Sequence, residues 1–230
     1  MQRRRRYRTP LLMGREDLCR VRIEQLTALT VYLGYEVTLS SQRDPRWAGV
    51  IRPGKTIQVW AEDPEDQLST LAHEICHAGL WELRIPSSYI ENHPGGSVEE
   101  GLCYAFENFM MAALLGDWPP CFRFSDVCSV QHFLSRFVDQ LRVSLFHRCI
   151  NLTRKRAKHE EAFNLSKGIQ DGLADFEERW RDRKYEGVRE AVTDVFENLF
   201  DLVDLCNSLI AERRCRPVLE PEVQEGLFQS

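Results

Sequence analysis

Hydrophobic positions in the first quarter of the chain follow helical spacing and then strand spacing. Over residues 16–33, leucine, valine and isoleucine recur mostly at intervals of three and four, and Gly34 follows, which predicts a helix that ends there. Three short segments with β-branched and aromatic residues come next, at 35–40, 47–52 and 55–61. The last two flank Pro53-Gly54, a pair that suits the corner of a type II turn. The pattern predicts a helix followed by a short antiparallel sheet that includes a hairpin.

A second helix has unusually clear signals at its start. Asp63 can cap it, Pro64 fits the first helical position, and acidic residues follow in the first turn. An apolar stripe carries this helix to about Leu83. After a polar loop, Ser97 begins a third helix with its own apolar face, which reaches Leu115. We therefore expect two neighbouring helices joined by a loop.

Beyond residue 120 the pattern is helical to about residue 213, and no strand signal of similar quality occurs. The chain as a whole therefore predicts an α+β fold, in which a core of helix, short sheet and two further helices is followed by a helical region. We expect four parts: a basic flexible tail at 1–14, the α+β core at 15–120, a helical region at 121–214 and an extended tail at 215–230.

The composition is typical of a globular protein in a reducing compartment. Of 230 residues, 43% are hydrophobic and 28% are charged, which is enough to bury a sizeable core. No apolar run approaches the roughly 18 to 20 residues that a membrane span needs, and no apolar segment of signal-peptide length follows the amino-terminal arginines. Eight cysteines are spread along the chain without a Cys-x-x-Cys pair, which favours reduced thiols. We expect a cytoplasmic protein without membrane association.

The charge distribution argues against a polyphosphate partner. A net charge of -5 gives the whole molecule no attraction for nucleic acid. Only the arginine run at residues 3–8 is locally basic, and it is either a nucleic-acid or partner-binding arm or a solvated tail. One short run has little specificity, so we do not expect nucleic acid as a partner.

The second helix carries the residues with recognisable chemistry, His73, Glu74 and His77. Histidines four residues apart project from one helical face and can bind a single metal ion, for which zinc is the natural occupant. Glu74 lies to the side of the pair, where its carboxylate can take a proton from a zinc-bound water and return it to a leaving amine. Such a His-Glu-x-x-His string occurs by chance in roughly one chain in a hundred, and here its helix has both a cap and an apolar stripe. The motif predicts a zinc-dependent hydrolase.

A catalytic zinc site needs a third protein ligand and an open coordination position. The residues leave His93, Glu99 and Glu100 as candidates, and the distance along the chain from His77 suits a helix, a loop and an antiparallel helix. Ser97 and Glu100 also form a capping box, a structural use of the same carboxylate that competes with metal binding. Glu99, if it is not a ligand, is expected to contact a ligand or the helix dipole.

Three further side chains near the motif each have a chemical and a structural interpretation. Glu107 lies two turns beyond Glu100 and could orient a ligand histidine. Tyr104 could donate a hydrogen bond to an oxyanion, or pack as an aromatic residue of its helix. Cys76, inside the motif, could bind or inhibit the zinc, although its position off the histidine face favours the core.

These segments resemble the gluzincin metallopeptidases, in which a glutamate at the start of a second helix completes the zinc site. Glu100-Gly101 followed by Glu107 is similar to the Asn-Glu-Gly segment of gluzincin aminopeptidases, with Glu99 in place of the Asn. The strings LAHEICHA at 71–78 and VEEGLC at 98–103 resemble the peptidase domain of plant growth-regulating, ubiquitin-associated LIM-domain peptidases. The order of helix, hairpin and motif helix is also similar to that of compact peptidases that cleave repressors.

The resemblance covers roughly residues 20–116 and implies a small zincin core, with Glu100 as the third zinc ligand beside His73 and His77. It implies no substrate or pathway. We expect a zinc-dependent metallopeptidase that hydrolyses peptide bonds of a protein substrate, with Glu74 as the catalytic residue. The alternative is a zinc-stabilised, non-catalytic interaction protein whose helical half binds a protein partner.

Overall fold

The structure is a computed structural model that describes residues 13–42, 44, 46–83, 98–116, 124–182 and 185–214. Its elements follow the chain in this order: α1 (Arg15–Tyr32), β1 (Glu36–Ser40), β2 (Gly49–Arg52), β3 (Thr56–Trp60), α2 (Pro64–Leu83), α3 (Val98–Leu115), α4 (Phe124–Leu152), α5 (Arg156–Arg181) and α6 (Tyr185–Arg214). Six helices and a three-stranded sheet over the described ranges confirm the predicted α+β fold. Of the predicted tails, residues 1–12 and 215–230 lie outside these ranges.

The sheet has the strand order β1-β3-β2, so β3 is central and β2 lies at an edge. The predicted hairpin is confirmed, because β2 pairs antiparallel with β3, with Ile51 opposite Ile57, and Gly54 takes a φ of 95° in the turn. β1 pairs with β3 in parallel, so the expectation of a wholly antiparallel sheet is wrong and the sheet is mixed. Strands β1 and β2 run in opposite directions and lie on the two sides of β3. Strand β3 is therefore parallel to β1 and antiparallel to β2.

Strand β3 has one buried and one half-exposed face, as its sequence alternation predicts. Ile57 and Val59 are 0% exposed, whereas the alternate residues Thr56, Gln58 and Trp60 are half-buried. Helix α1 ends next to this sheet, and Gly34 takes a φ of 84° to turn the chain into β1. The buried side of the sheet is continuous with the core under α1 and α2.

Helix α2 contacts β2 and β3 as well as α1, α3 and α4, so it lies at the centre of the molecule. A Cβ at Gly79 of α2 would lie 2.8 Å from the ring of Phe137, which is why α4 can approach this closely. On α3, Phe106 packs edge to face on Phe133 of α4, with ring centroids 5.1 Å apart. The helical region therefore packs directly on the elements that carry the motif. None of the helices over the described ranges combines the length and apolar character that crossing a bilayer requires.

Candidate metal centre

Helix α2 places the two motif histidines side by side. The carboxylate of Asp63 caps the helix by accepting hydrogen bonds from the backbone N–H groups of Glu65 at 2.7 Å and Asp66 at 3.4 Å. The helix then continues unbroken through the motif, so His73 and His77 lie on one face with ring centroids 5.0 Å apart. Local helical structure is thus sufficient to bring the two imidazoles together.

Glu100 comes from the first turn of α3 and reaches both histidines. One carboxylate oxygen lies 3.3 Å from Nε2 of His73, and the other lies 3.4 Å from Nε2 of His77. Two ligand atoms of a tetrahedral zinc ion, each about 2.0 to 2.2 Å from the metal, are about 3.3 to 3.6 Å apart. Each of these two separations is that expected for a pair of ligand atoms on one zinc ion.

Each histidine also has a separate carboxylate at Nδ1, the ring nitrogen that does not face Glu100. Nδ1 of His73 lies 3.1 Å from one oxygen of Glu107, whose other oxygen accepts a hydrogen bond from the hydroxyl of Ser69. Nδ1 of His77 lies 2.6 Å from an oxygen of Glu99. A carboxylate at Nδ1 keeps that nitrogen protonated and leaves Nε2 free to bind a metal. Glu107 thus lies where a side chain can orient one histidine, and Glu99 has the equivalent position at the other.

These contacts also change the pKa values of the two rings. Burial alone would lower the pKa of His77, but its hydrogen bonds with Cys103 and Glu99 outweigh burial and raise this pKa to about 9. Burial likewise opposes the charged form of His73, yet the hydrogen bond with Glu107 leaves the pKa of His73 above its ordinary value. A metal ion that binds Nε2 of His77 must therefore displace a proton at neutral pH, so the affinity for metal falls as the pH falls.

Glu74 is buried next to the histidines and under the edge strand β2, with 7% of its surface exposed. A Cβ at Gly49 of β2 would lie 2.7 Å from Oε1 of Glu74, so only glycine lets the strand pass this closely. Burial raises the pKa of Glu74, and the charges of His73 and His77 offset part of that effect. A carboxylate whose pKa lies above its ordinary value accepts a proton more readily. The predicted catalytic residue therefore has surroundings suited to a general base.

Cys103 is a potential metal donor that the sequence analysis did not recognise. Its sulfur and the donor nitrogens of His73 and His77 all lie within 4.8 Å of one another. Cys103 is 0% exposed and is spaced by four residues from both Glu99 and Glu107, so it belongs to the row of α3 that faces the Nδ1 atoms. That spacing is visible in the sequence, but the burial that brings the thiol to the histidines depends on how α3 packs against α2.

Cys76 occupies the core position that its place in the motif favours. Its side chain is 0% exposed and is hydrogen-bonded to Cys103, and burial raises the pKa of Cys76. The same bond lowers the pKa of Cys103 to about 7, against the effect of burial and with the help of His77. A lowered pKa favours the thiolate of Cys103, which is the form of cysteine that binds zinc.

Two alternative ligand sets thus exist on the two sides of the histidine pair. On the Nδ1 side, Cys103 would have to compete with Glu99 and Glu107, which already hold those nitrogens. On the Nε2 side, Glu100 is at the required distance from both rings and is partly open to solvent. Glu100 is therefore a candidate third ligand on the side that is open to solvent, and Cys103 is the candidate on the buried side.

An open cleft of about 620 Å³ leads to the Nε2 side. Strand β2 and the residues before it form one wall, and α2 and α3 form the others. Tyr104 lines this cleft with its ring centroid 4.6 Å from that of His73, and it is 59% exposed. Tyr104 therefore packs against His73 and does not belong to the buried apolar face of α3.

Trp81 is a second residue of the site that the sequence analysis missed. It lines the cleft, and its indole N–H donates a hydrogen bond of 2.9 Å to the Glu99 oxygen that contacts His77. The available signal was its position four residues after His77, on the same helical face. His93, the third candidate ligand, and Ser97, the predicted capping partner of Glu100, lie outside the described residues.

No protein-family model matches this chain, and comparisons with curated proteins and with solved structures found no match. The likeness to gluzincin peptidases therefore rests only on the short segments at 71–78 and 98–107. The side-chain geometry of the candidate metal centre is the remaining basis for a functional conclusion.

Proposed function

We propose that the chain is a zinc-dependent metallopeptidase, in which His73, His77 and Glu100 hold the zinc ion and Glu74 is the catalytic residue. The observation that carries this proposal is the position of the Glu100 carboxylate, 3.3 and 3.4 Å from the two Nε2 atoms. Three protein ligands facing an open cleft leave a coordination position free, which is typical of catalytic zinc and not of structural zinc.

In this proposal, a bound zinc ion supplies a Lewis acid that polarises a peptide carbonyl and lowers the pKa of water. Glu74 accepts the proton of the attacking water and returns it to the amine that leaves, a role supported by its burial and by its raised pKa. Glu99 and Glu107 hold the two rings in the orientation that presents Nε2. Tyr104 is the group on the His73 side that can donate a hydrogen bond to the substrate oxygen.

The proposed substrate is an extended segment of a protein or peptide. Strand β2 lies at the edge of the sheet and along the cleft, and no described strand pairs with its outer side. An extended peptide can add to such an edge through backbone hydrogen bonds. Because Gly49 of β2 contacts Glu74, a peptide on this edge would run past the proposed base. The arrangement supports cleavage within a chain more than removal of a terminal residue.

A zinc-stabilised, non-catalytic interaction protein is the second candidate, and Cys103 favours it. If zinc bound on the Nδ1 side instead, the Cys103 thiolate would be the third ligand beside His73 and His77, and Glu99 or Glu107 could fill the fourth position, as in closed structural sites. Such a centre would tie α2 to α3 without using Glu74. The helical half would then be the partner-binding part. A groove of about 460 Å³ between α4 and α5, which includes the 57% exposed Phe163, is consistent with that role.

We also propose that the protein acts in the cytoplasm. Five cysteines whose side chains the structure describes are free thiols, as expected in a reducing compartment: Cys19, Cys76, Cys103, Cys149 and Cys206. The proposal includes neither a membrane nor a nucleic acid as a partner, because the net charge of -5 favours neither an anionic lipid surface nor a polyphosphate.

Zinc content and peptide hydrolysis, measured on the same samples, test the proposed function. Wild type and Glu74→Gln should each contain an equimolar amount of zinc by elemental mass spectrometry. Only wild type should cleave casein, because loss of a general base lowers the rate by about 10²- to 10⁴-fold.

Glu100→Ala should lose both zinc and activity, whereas Cys103→Ser should keep both. If Cys103→Ser loses zinc while Glu100→Ala retains it, the structural site is supported instead. A wild type that takes up no zinc would contradict both candidates.

A further inference from the structure

Three aromatic side chains at the cleft are exposed to an unusual degree. Trp47, Trp81 and Tyr104 are 58%, 52% and 59% exposed, and all three line the cleft. We call these three residues the aromatic rim. Covering apolar surface is favourable by about 25 cal/mol per Å². A cluster of large exposed aromatic side chains around one cleft therefore marks a surface that gains free energy by contacting a ligand.

The aromatic rim surrounds the candidate zinc ligands. The ring centroid of Tyr104 lies 4.6 Å from that of His73, and the centroid of Trp81 lies 6.0 Å from that of His77. Trp47 precedes strand β2 by two residues and belongs to the strand-side wall of the cleft. A ligand that reaches the Nε2 atoms therefore meets aromatic surface contributed by α2, by α3 and by the segment before β2.

Trp81 is held in one orientation before any ligand arrives. Its indole N–H donates to Glu99 at 2.9 Å, and the same carboxylate oxygen lies 2.6 Å from Nδ1 of His77. A side chain that is already ordered loses little conformational entropy when a ligand packs on it. The ring of Trp81 is therefore preorganised for contact, and it is connected to a proposed zinc ligand through one carboxylate.

The charges that line the cleft limit which ligands fit. Glu74, Glu100 and Glu107 all line it. Arg46 is the one lysine or arginine among the described lining residues, and its guanidinium lies 3.6 Å from the carboxylate of Asp44. A zinc ion held by His73 and His77 would offset two of the three acidic charges and leave the cleft net negative. Acidic side chains of a ligand would therefore be repelled, whereas neutral or basic ones would be accepted.

We infer that the aromatic rim selects peptide segments that carry a large aromatic or aliphatic side chain next to the bond to be cut, without an acidic side chain beside it. This inference rests on the proposed function, because it names the substrate class of the same site. The edge of β2 can make backbone hydrogen bonds with any sequence, so the aromatic rim supplies the preference among side chains.

Peptide hydroxamates test the aromatic rim without requiring hydrolysis. The hydroxamate group binds zinc, and a matched series varies only the adjacent side chain among Phe, Leu, Gly and Asp. Isothermal titration calorimetry on the zinc-loaded full-length chain should show the Phe and Leu members binding at least about tenfold more tightly than the Gly member. The Asp member should bind more weakly than the Gly member.

Substitutions then assign the preference to particular side chains. Trp47→Ala and Trp81→Ala should each reduce the advantage of Phe over Gly severalfold. Trp81→Phe should keep most of that advantage, because it retains an aromatic ring although it lacks the N–H that donates to Glu99. Phe163→Ala is the matched control, since it removes an aromatic side chain that is 57% exposed but lies on α5 outside the cleft. Unchanged melting temperatures would show that the variants are folded.

Two results would overturn the inference and leave the proposed function standing. One is equal affinity for all members of the series; the other is an advantage of Phe over Gly that survives both Trp47→Ala and Trp81→Ala. If no hydroxamate binds, the inference also fails, and the zinc content of the same sample then decides whether the proposed function fails with it.

Discussion

At the scale of single residues, the candidate metal centre depends on two carboxylates that contact the Nδ1 atoms of the histidines, opposite the Nε2 atoms that are proposed to bind the metal. Glu107 joins the hydroxyl of Ser69 to Nδ1 of His73, and Glu99 joins the indole of Trp81 to Nδ1 of His77. Each carboxylate fixes both the tautomer and the tilt of a ring. Both rings are therefore oriented in advance for a ligand on the Nε2 side.

Glu107→Gln should weaken zinc binding about 10- to 100-fold, because a neutral amide holds Nδ1 of His73 less firmly in its protonated form. Competition with a chromophoric chelator measures this affinity. Glu190→Gln, at an exposed glutamate of α6, is the control and should bind zinc as wild type does. Equal affinities for the two variants would show that Glu107 does not support the site.

Asp201 of α6 makes stability depend on pH. Burial, together with the charges of Glu197 and Asp204, raises the pKa of Asp201 from 3.8 to about 6. A carboxyl group whose pKa is raised by folding favours the folded state most at low pH, and this contribution is lost as the pH rises through 6. At pH 7.5 the half-buried charge of Asp201 is therefore unfavourable.

Asp201→Asn should raise the melting temperature at pH 7.5 by roughly 2 to 4 °C, the shift that about 1 kcal/mol produces in a chain of this size. The gain should shrink as the pH is lowered towards 4, where Asp201 is protonated in the folded protein. Asp171→Asn serves as control, because this carboxylate is exposed and paired with Lys167. A gain that is independent of pH would contradict the assignment.

At the scale of elements, the close approach of β2 to α2 positions the proposed base. A Cβ at Gly49 would lie 2.6 Å from Thr70 and 2.7 Å from Glu74, both on α2. No side chain fits there unless the strand or the glutamate moves. The edge strand and the base are therefore packed as one unit.

Gly49→Ala should lower kcat/KM at least about tenfold while leaving the zinc content unchanged, because the added methyl group displaces Glu74 or β2 but not the histidines. Gly14→Ala is the control, since its Cβ would have no atom nearer than 3.8 Å. Steady-state kinetics and elemental analysis on both variants measure the two effects. Full activity in Gly49→Ala would mean that the position of Glu74 is not critical.

The elements that could be predicted from the sequence are those with local signals. Asp63 and Pro64 mark the start of α2 through capping chemistry, and the Pro53-Gly54 corner marks the hairpin, so both elements were found. The parallel pairing of β1 with β3 could not be found, because it depends on the path of the chain across β3 and not on any residue within β1.

Within the site, the sequence predicts the residues that are placed by helical spacing, but not those that are placed by the packing of one helix against another. The two histidines follow from helical spacing, and Glu107 follows from its phase on α3. Cys103 and Trp81 were missed because their roles depend on how α3 packs against α2. The choice of Glu100 depends on a resemblance to known peptidases and stays a prediction, although its carboxylate lies 3.3 and 3.4 Å from the two Nε2 atoms.

At the scale of the whole molecule, the α+β part and the helical part share one core. The guanidinium of Arg22 on α1, whose side chain is 6% exposed, pairs with Glu197 of α6 at 2.7 Å. Phe106 of α3 packs on Phe133 of α4. Buried residues from α1 to α6 form one continuous hydrophobic cluster. The candidate metal centre therefore lies on elements packed against helices that contribute none of its proposed ligands.

Calorimetry should accordingly show a single unfolding transition for the full chain, although the sequence predicts two structured parts, at 15–120 and 121–214. Zinc should move that one transition to higher temperature, because a ligand that binds only the folded state stabilises everything that unfolds with its site. Two transitions, of which zinc moves only one, would contradict a shared core.

The position of the zinc ion is the central claim, and X-ray absorption at the zinc edge of the zinc-loaded wild type tests it most directly. We predict nitrogen and oxygen neighbours at about 2.0 to 2.2 Å, from His73, His77, Glu100 and solvent, and no sulfur at about 2.3 Å. A sulfur neighbour would contradict the account, because it would make Cys103 the third ligand in place of Glu100 and put the zinc on the buried side of the histidines, away from the cleft.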